Sequence, residues 1–231
     1  MGYWCSLHLF DDNKFYSEVV PQLKGEIGDL TEAVREFLKY YFVGGISHLS
    51  DEKLNALIEQ NIQWIVSIST SLDETFKIHN EFHKITDYKS QNHYLGNLDG
   101  HYEFCRFLEF YLFKTCADYN PHVGLGKGGV SRNFNIQIKT LSCDIIGELE
   151  DENAFLSQDR MGIVNWITHE DVELLFLDKE NLRFKDNERA ESFLELLDIA
   201  YKNKLGFIMG IDMREDQLRL LAKNKLLKED L

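Results

Sequence analysis

The sequence predicts an α+β fold, a mainly helical single domain with a small sheet formed by the N-terminal strand and late strands. Residues 3–10 (YWCSLHLF) form an apolar run on both alternating faces, and residues 207–211 form a second short apolar run near the other end of the chain. Between them, several segments carry apolar residues at helical spacing. Short, fully apolar runs are typical of strands buried on both faces, whereas the longer periodic segments indicate helices.

The composition favours one compact domain spanning residues 1–231. The chain has 231 residues, is 44% hydrophobic and contains only two prolines, with no Ser/Gly/Pro-rich linker. Residues 1–120 are helix-rich, and residues 134–231 have a mixed α/β and acidic character. No basic leader precedes the first strand, and no apolar run reaches the roughly 18–20 residues of a membrane span. The four cysteines are scattered, which suits buried thiols in a reducing compartment and predicts a cytoplasmic location.

A central helix is predicted near residues 101–119. Its apolar positions fill about half of a helical wheel, so it should be covered on more than one side. The residues that we expect to be buried are Phe104, Leu108, Tyr111 and Leu112.

Four further helices are predicted before residue 100. Asp11 and Asp12 can cap a short helix near residues 15–23, and Asp29 with Glu32 resembles a capping box for a helix that Gly44 and Gly45 would end. Ser50 can cap a helix whose apolar stripe ends near residue 68. A second capping-box pattern, at residues 71–74, predicts a helix through about residue 85.

The second half of the chain is less regular. Residues 134–138 alternate as in a half-buried strand, and residues 187–202 form a clear helical pattern. Residues 142–156 suit a helix, whereas residues 172–177 suit a helix and a strand equally, so the pattern leaves the structure of residues 142–178 open. Asp212 is expected to cap a last helix.

The net charge of −14 is unevenly distributed. Residues 1–143 have a balance of −5, residues 144–188 a balance of −9, and residues 189–231 a balance of zero. A concentrated negative field repels nucleic acid and attracts basic partners. The alternative is a solvated surface that only keeps the protein soluble.

The acidic residues of this segment are the predicted binding residues. A cation site would need converging oxygens, and no D-x-D-x-D-G calcium loop is present. We therefore interpret the acids as a surface for a basic protein. They are Asp144, Glu148, Glu150, Asp151, Glu152, Glu170 and Asp171.

The run Gly124–Gly129 satisfies the string G-x-G-x-x-G but not its structural context. Dinucleotide binding needs a strand, a glycine turn and a helix N-terminus in that order, whereas the predicted order here is helix, loop, strand. An exposed basic loop with Lys127 and Arg132 is the better interpretation. Whether its glycine amides hold an anion is left open.

His79 and His83 provide the alternative, metal-dependent hypothesis. Four residues apart on one helical face, two imidazoles can ligate zinc. Glu81 does not stand next to the first histidine, as the metalloprotease pattern H-E-x-x-H requires. Further ligands could come from His93, His101 or Glu103.

The sequence therefore predicts a non-enzymatic cytoplasmic binding protein whose acidic surface masks a basic protein partner. No G-x-S-x-G elbow or activated cysteine motif is present, and we expect no catalytic residues, no cofactor, no metal, no nucleic acid and no membrane partner. Compact, acidic, motif-poor chains are typical of bacterial immunity proteins, so an inhibitor of a toxin domain is the favoured role. A metal-dependent hydrolase that uses His79 and His83 is the alternative, and a structural or adaptor role is the third.

Overall fold

The computed structural model describes residues 5–71, 102–117, 122–126, 141–150, 162–182, 184 and 187–211. Within these ranges, the protein is an α+β fold in which helices predominate over a small antiparallel sheet, as the sequence predicts. The N-terminal strand pairs with a late strand at the centre of that sheet.

The sheet has four strands in the order β2-β1-β4-β3. Strand β1 (Cys5–Phe10) pairs with β2 (His122–Gly126) on one side and with β4 (Gly206–Ile211) on the other, and β3 (Gly162–Ile167) pairs with β4. All three pairings are antiparallel. Strand β3 lies in a region where the sequence pattern predicted no strand.

The two faces of β1 belong to two different hydrophobic cores. Phe10 packs in the core formed with the helices of the first half of the chain. Leu7 and Leu9 pack in the core formed with the late helices. Each of these three side chains is fully buried, which confirms a strand buried on both faces.

The first layer of helices covers the Phe10 face of the sheet. Its elements are α1 (Asp12–Lys14), a π-helical turn (Phe15–Val19), α2 (Val20–Leu23), α3 (Thr31–Tyr41), α4 (Asp51–Ser71), α5 (Tyr102–Leu112) and a second π-helical turn (Phe113–Ala117).

Local hydrogen bonds and glycine residues mark where these helices start and end. Asp11 Oδ1 accepts a hydrogen bond from the Lys14 N–H at 2.9 Å, which caps α1 as predicted. The box predicted for Asp29 and Glu32 does not form, because Asp29 Oδ1 instead accepts from the Thr31 N–H at 2.8 Å. Gly44 and Gly45 follow α3 with positive φ angles, a backbone conformation that glycine adopts without strain.

The prediction for the central helix is confirmed. Phe104, Leu108 and Leu112 of α5 have no exposed surface, and Tyr111 is also buried. The rings of Phe107 and Tyr111 stack in parallel with centroids 5.6 Å apart. Helix α5 therefore lies in the middle of the first-layer core.

The second layer covers the Leu7 and Leu9 face of the sheet. It comprises α6 (Leu141–Leu149), α7 (His169–Leu177), a 3₁₀ turn (Lys179–Asn181) and α8 (Asn187–Asn203). The pattern had left residues 172–177 open between strand and helix, and they are helical. The strand predicted at residues 134–138, the helix after Asp212 and, apart from Ser71 in α4, the helix of residues 71–85 lie outside the described residues.

No helix among the described residues is both long enough and apolar enough to cross a bilayer.

Candidate functional site

Of the acidic residues predicted in and directly after α6, the structure describes the side chains of only Asp144 and Glu150. Asp144 is exposed, whereas its neighbours Ile145, Ile146 and Leu149 are buried in the second-layer core. Glu150 is half-buried just after the helix. Glu148 belongs to α6, but its side chain, like Asp151 and Glu152, lies outside the described part of the structure.

The two predicted acids of α7 have different environments. Glu170 is exposed, but Asp171 is buried, with 2% of its surface accessible. Asp171 Oδ2 accepts hydrogen bonds from the N–H and the hydroxyl of Thr168, at 3.1 and 2.9 Å. Asp171 therefore holds the start of α7 in place and is unable to present its charge to a partner. Its assignment to the binding surface is wrong.

Three exposed glutamates that the sequence reasoning did not select join Glu170 on the same layer. Glu173 lies one turn after Glu170 on α7, and Glu191 and Glu195 lie one turn apart on α8. Helices α7 and α8 pack against each other and on the same sheet face. We call these four residues, Glu170, Glu173, Glu191 and Glu195, the outer acidic face.

The four glutamates of the outer acidic face have no ion-pair or hydrogen-bond partner within the described part of the chain. Their spacing places like charges next to each other, at i,i+3 on α7 and at i,i+4 on α8. Like-charge pairs at such spacings destabilise a helix by a few tenths of a kcal/mol. The spacing was visible in the sequence, and it is the signal that would have selected these residues.

Exposed apolar side chains lie beside the glutamates. Leu174 and Leu177 of α7 are 36% and 68% exposed. The ring of Phe176 stacks in parallel on Tyr201 of α8 with centroids 3.9 Å apart, and Tyr201 remains 36% exposed. An apolar area beside charged side chains is typical of protein-binding surfaces.

Two described lysines near this area, Lys179 and Lys202, have other partners. Lys179 Nζ lies 3.8 Å from the centroid of the Phe176 ring, a cation–π contact. Lys202 Nζ lies 2.5 Å from Asp198 Oδ2, one turn earlier on α8. Neither lysine neutralises a glutamate of the outer acidic face.

A contact between a buried carboxyl and an imidazole joins α7 to the first layer. Asp12 Oδ2 lies 2.7 Å from His169 Nδ1, and Asp12 is almost completely buried. Burial raises the pKa of the Asp12 carboxyl, although the hydrogen bonds from His169 act in the opposite direction. Because His169 is the first residue of α7, this contact positions the helix that carries Glu170 and Glu173.

A stacked pair of histidines, the buried His8 of β1 and the partly buried His122 of β2, is unsuited to catalysis. His8 Nε2 lies 2.8 Å from Ser6 Oγ, and the rings of His8 and His122 stack with centroids 5.0 Å apart. Burial, with a smaller contribution from His122, lowers the pKa of His8 to about 3. Such a weak base is a poor proton acceptor for a serine hydroxyl at neutral pH.

The thiols of Cys105 in α5 and of Cys116 in the following π-helical turn are similarly inert. Burial is the main cause that raises the pKa of Cys105 to about 12 and that of Cys116 to about 11. A nucleophilic cysteine needs a lowered pKa, so these side chains act as small apolar residues of the core.

The other predicted sites are only partly covered by the structure. His79, His83, His93 and His101 lie outside the described residues, so the metal hypothesis stays a hypothesis. Among the residues described, no group of three or more His, Cys, Asp or Glu side chains could hold a metal. Gly124 and Gly126 belong to strand β2, so the first part of the predicted loop is wrong, and residues 127–129 are not described.

An open groove of about 540 Å³ lies on the first layer between α3, α4 and the start of α5. Its walls are mainly aromatic and aliphatic, and Asn61, Gln60 and Glu103 add polar groups. The other residues that line it are Phe37, Leu38, Tyr41, Phe42, Val43, Leu57 and Trp64.

No protein-family model matches the chain, and neither a curated protein nor a solved structure is significantly similar to it.

Proposed function

We propose that this chain is a non-enzymatic binding protein of the cytoplasm, whose outer acidic face masks a basic surface of a protein partner. The observation that carries the proposal is the exposure of four glutamates on α7 and α8 that have no ion-pair or hydrogen-bond partner among the described residues. Asp144 adds a further exposed acid on the neighbouring helix α6.

The energetics favour binding as the reason for this arrangement. Repeating acids one turn apart weakens the helices slightly, whereas one basic residue per pair would have stabilised them. A cluster of unpaired charges of one sign accelerates the encounter with a partner of the opposite sign. The repeated glutamates thus lower the stability of the helices slightly and concentrate negative charge at their surface.

An inhibitor of a bacterial toxin domain is the partner relationship that we favour. Toxin domains that act on nucleic acid are basic, and an acidic protein that covers such a surface blocks it without chemistry of its own. The buried environment of His8, Cys105 and Cys116, which removes their reactivity, is in keeping with a non-enzymatic role.

Affinity purification from the native cell with two matched variants tests this function. The first variant replaces Glu170, Glu173, Glu191 and Glu195 with glutamine. The second removes four exposed acids from the first layer, through Glu18→Gln, Asp51→Asn, Glu52→Gln and Glu59→Gln, so that both variants have a net charge of about −10.

The wild type and the first-layer variant should retain the same basic protein, and the outer-face variant should lose it. Mass spectrometry identifies the retained protein. Equal recovery with both variants, or the recovery of no basic protein by the wild type, would contradict the proposed function.

A further inference from the structure

Helix α7 presents a mixed stripe to solvent. Glu170, Glu173, Leu174 and Leu177 are exposed and recur at three- and four-residue spacing, whereas Val172 and Leu175 between them are fully buried. Residues at this spacing share one side of a helix. Acidic and apolar groups therefore alternate along the same exposed surface, which we call the α7 stripe.

The leucines of the α7 stripe expose more apolar surface than the fold needs. Leu177 is 68% exposed and Leu174 is 36% exposed at the C-terminal end of the helix. The half-exposed Tyr201, stacked on Phe176, extends this apolar area onto α8. Acidic groups alone attract any basic surface, whereas an apolar area next to them also selects for a partner with apolar side chains.

We propose that the α7 stripe docks a basic amphipathic helix of the partner protein, with the helix's apolar side chains on Leu174 and Leu177 and its lysines or arginines facing Glu170 and Glu173. The inference rests on the proposed function and adds the kind of segment that the surface recognises.

The spacing of the leucines favours a helical segment. Leu174 and Leu177 lie about 4.5 Å apart along the helix axis, which matches apolar residues three apart on a second helix. Alternate residues of an extended strand lie about 6.6 Å apart and fit less well.

Charge argues against a second copy of this chain as the occupant. In a symmetric pair, the same patch of both copies meets. The glutamates of one α7 stripe would then face those of the other, and like charges across an interface are unfavourable. A basic helix replaces this repulsion with attraction.

Two synthetic probes of identical composition test the proposal. One is a fluorescently labelled peptide of about five helical turns in which leucines recur at helical spacing and lysines fill the other positions. The other contains the same residues in an order that forms no apolar face. Fluorescence anisotropy measures the binding of each peptide to the full chain at low and at high salt.

The wild type should bind the amphipathic peptide about tenfold more tightly than the scrambled one, because only the former can bury its leucines on the stripe. The double change Leu174→Ser and Leu177→Ser should abolish this preference while leaving the scrambled peptide unaffected. Val43→Ser is the matched control, since Val43 is 94% exposed but lies at the groove of the first layer.

Different failures separate the inference from the proposed function. Equal affinity for the two peptides, or a preference that Val43→Ser removes, would overturn the α7 stripe as the apolar site. If the double change Glu170→Gln and Glu173→Gln still weakens the binding of both peptides, the outer acidic face remains supported even though the α7 stripe is not the apolar site. If neither peptide binds at low salt, the acidic face fails as well. A dimer in sedimentation that Leu177→Ser dissociates would make a second copy the occupant and overturn the proposal.

Discussion

The two helical layers cover opposite faces of one sheet, but they arrange their surface charges differently. In the first layer, some helical acids pair with a base on the same helix: Glu32 with Arg35 at 3.5 Å and Glu103 with Arg106 at 3.6 Å, each three residues apart. In the second layer, Glu170 precedes Glu173, and Glu191 precedes Glu195, without a base between them.

This difference separates two uses of exposed charge. An opposite-charge pair at i,i+3 stabilises its own helix by a few tenths of a kcal/mol and leaves little field for a partner. A like-charge pair weakens its helix by a similar amount and leaves its field available. Asp198 and Lys202 show that α8 can also form the stabilising arrangement, so its repeated glutamates are not imposed by the helix.

The largest effect that we expect is a difference in the free energy of unfolding between leucine substitutions in the two layers. Leu108→Ala in α5 should lower the free energy of unfolding by about 2–5 kcal/mol, because the side chain is fully buried and its removal leaves a cavity. Leu177→Ala in α7 should change it by less than about 0.5 kcal/mol. Urea unfolding followed by circular dichroism measures both. A similar loss in the two variants would mean that the Leu177 side chain is part of the core.

The second prediction concerns the contact of Asp12 with His169, which joins the two layers. Burial raises the pKa of Asp12 above its ordinary value of 3.8, so the folded protein retains this proton to a higher pH than the unfolded chain does. Ionisation of Asp12 should therefore lower the stability as the pH rises above 3.8. Asp12→Asn removes this contribution.

Urea unfolding between pH 3 and pH 7 checks the effect. The stability of Asp12→Asn relative to the wild type should rise with pH above 3.8. A relative stability that stays constant across this range would show that burial does not hold the proton on Asp12.

The smallest expected effects come from exchanging the charge patterns. Glu195→Lys creates an opposite-charge pair with Glu191 at i,i+4 and should stabilise the protein by about 0.5 kcal/mol. Arg35→Glu creates a like-charge pair with Glu32 and should destabilise it, with the loss of the hydrogen bond to Asn55 adding to the effect. Thermal unfolding at low salt measures both changes. If both changes shifted the unfolding temperature in the same direction, the two layers would not differ in how their charge patterns affect stability.

The sequence predicted the first layer better than the second because helical periodicity is strong in α5. Strand β3 was missed although all six of its residues are buried, as in β4, because the buried polar residue Asn165 interrupts its apolar run. For α7, apolar residues at 172, 174, 175, 176 and 177 fit a strand as well as a helix, and the capping contacts of Asp171 with Thr168 decided for the helix.

The acidic face could be predicted only in part. Summing charge over residues 189–231 gave a balance of zero, because three bases offset the three acids of residues 189–211 and five bases offset the five acids after residue 211. The total therefore does not reveal that Glu191 and Glu195 lie one turn apart on α8. The contact between Asp12 and His169 joins residues 157 positions apart, and no local pattern indicates it. Burial of Asp171 likewise depends on how α7 packs on the sheet.

The association rate with the basic partner tests the central claim most directly. Stopped-flow mixing at low and high salt would compare the wild type with the outer-face and first-layer variants, which carry equal net charge. The outer-face variant should associate more slowly at low salt and lose most of the salt dependence, whereas the first-layer variant should behave like the wild type. Equal rates and equal salt dependence for the two variants would contradict the claim that α7 and α8 carry the binding charge.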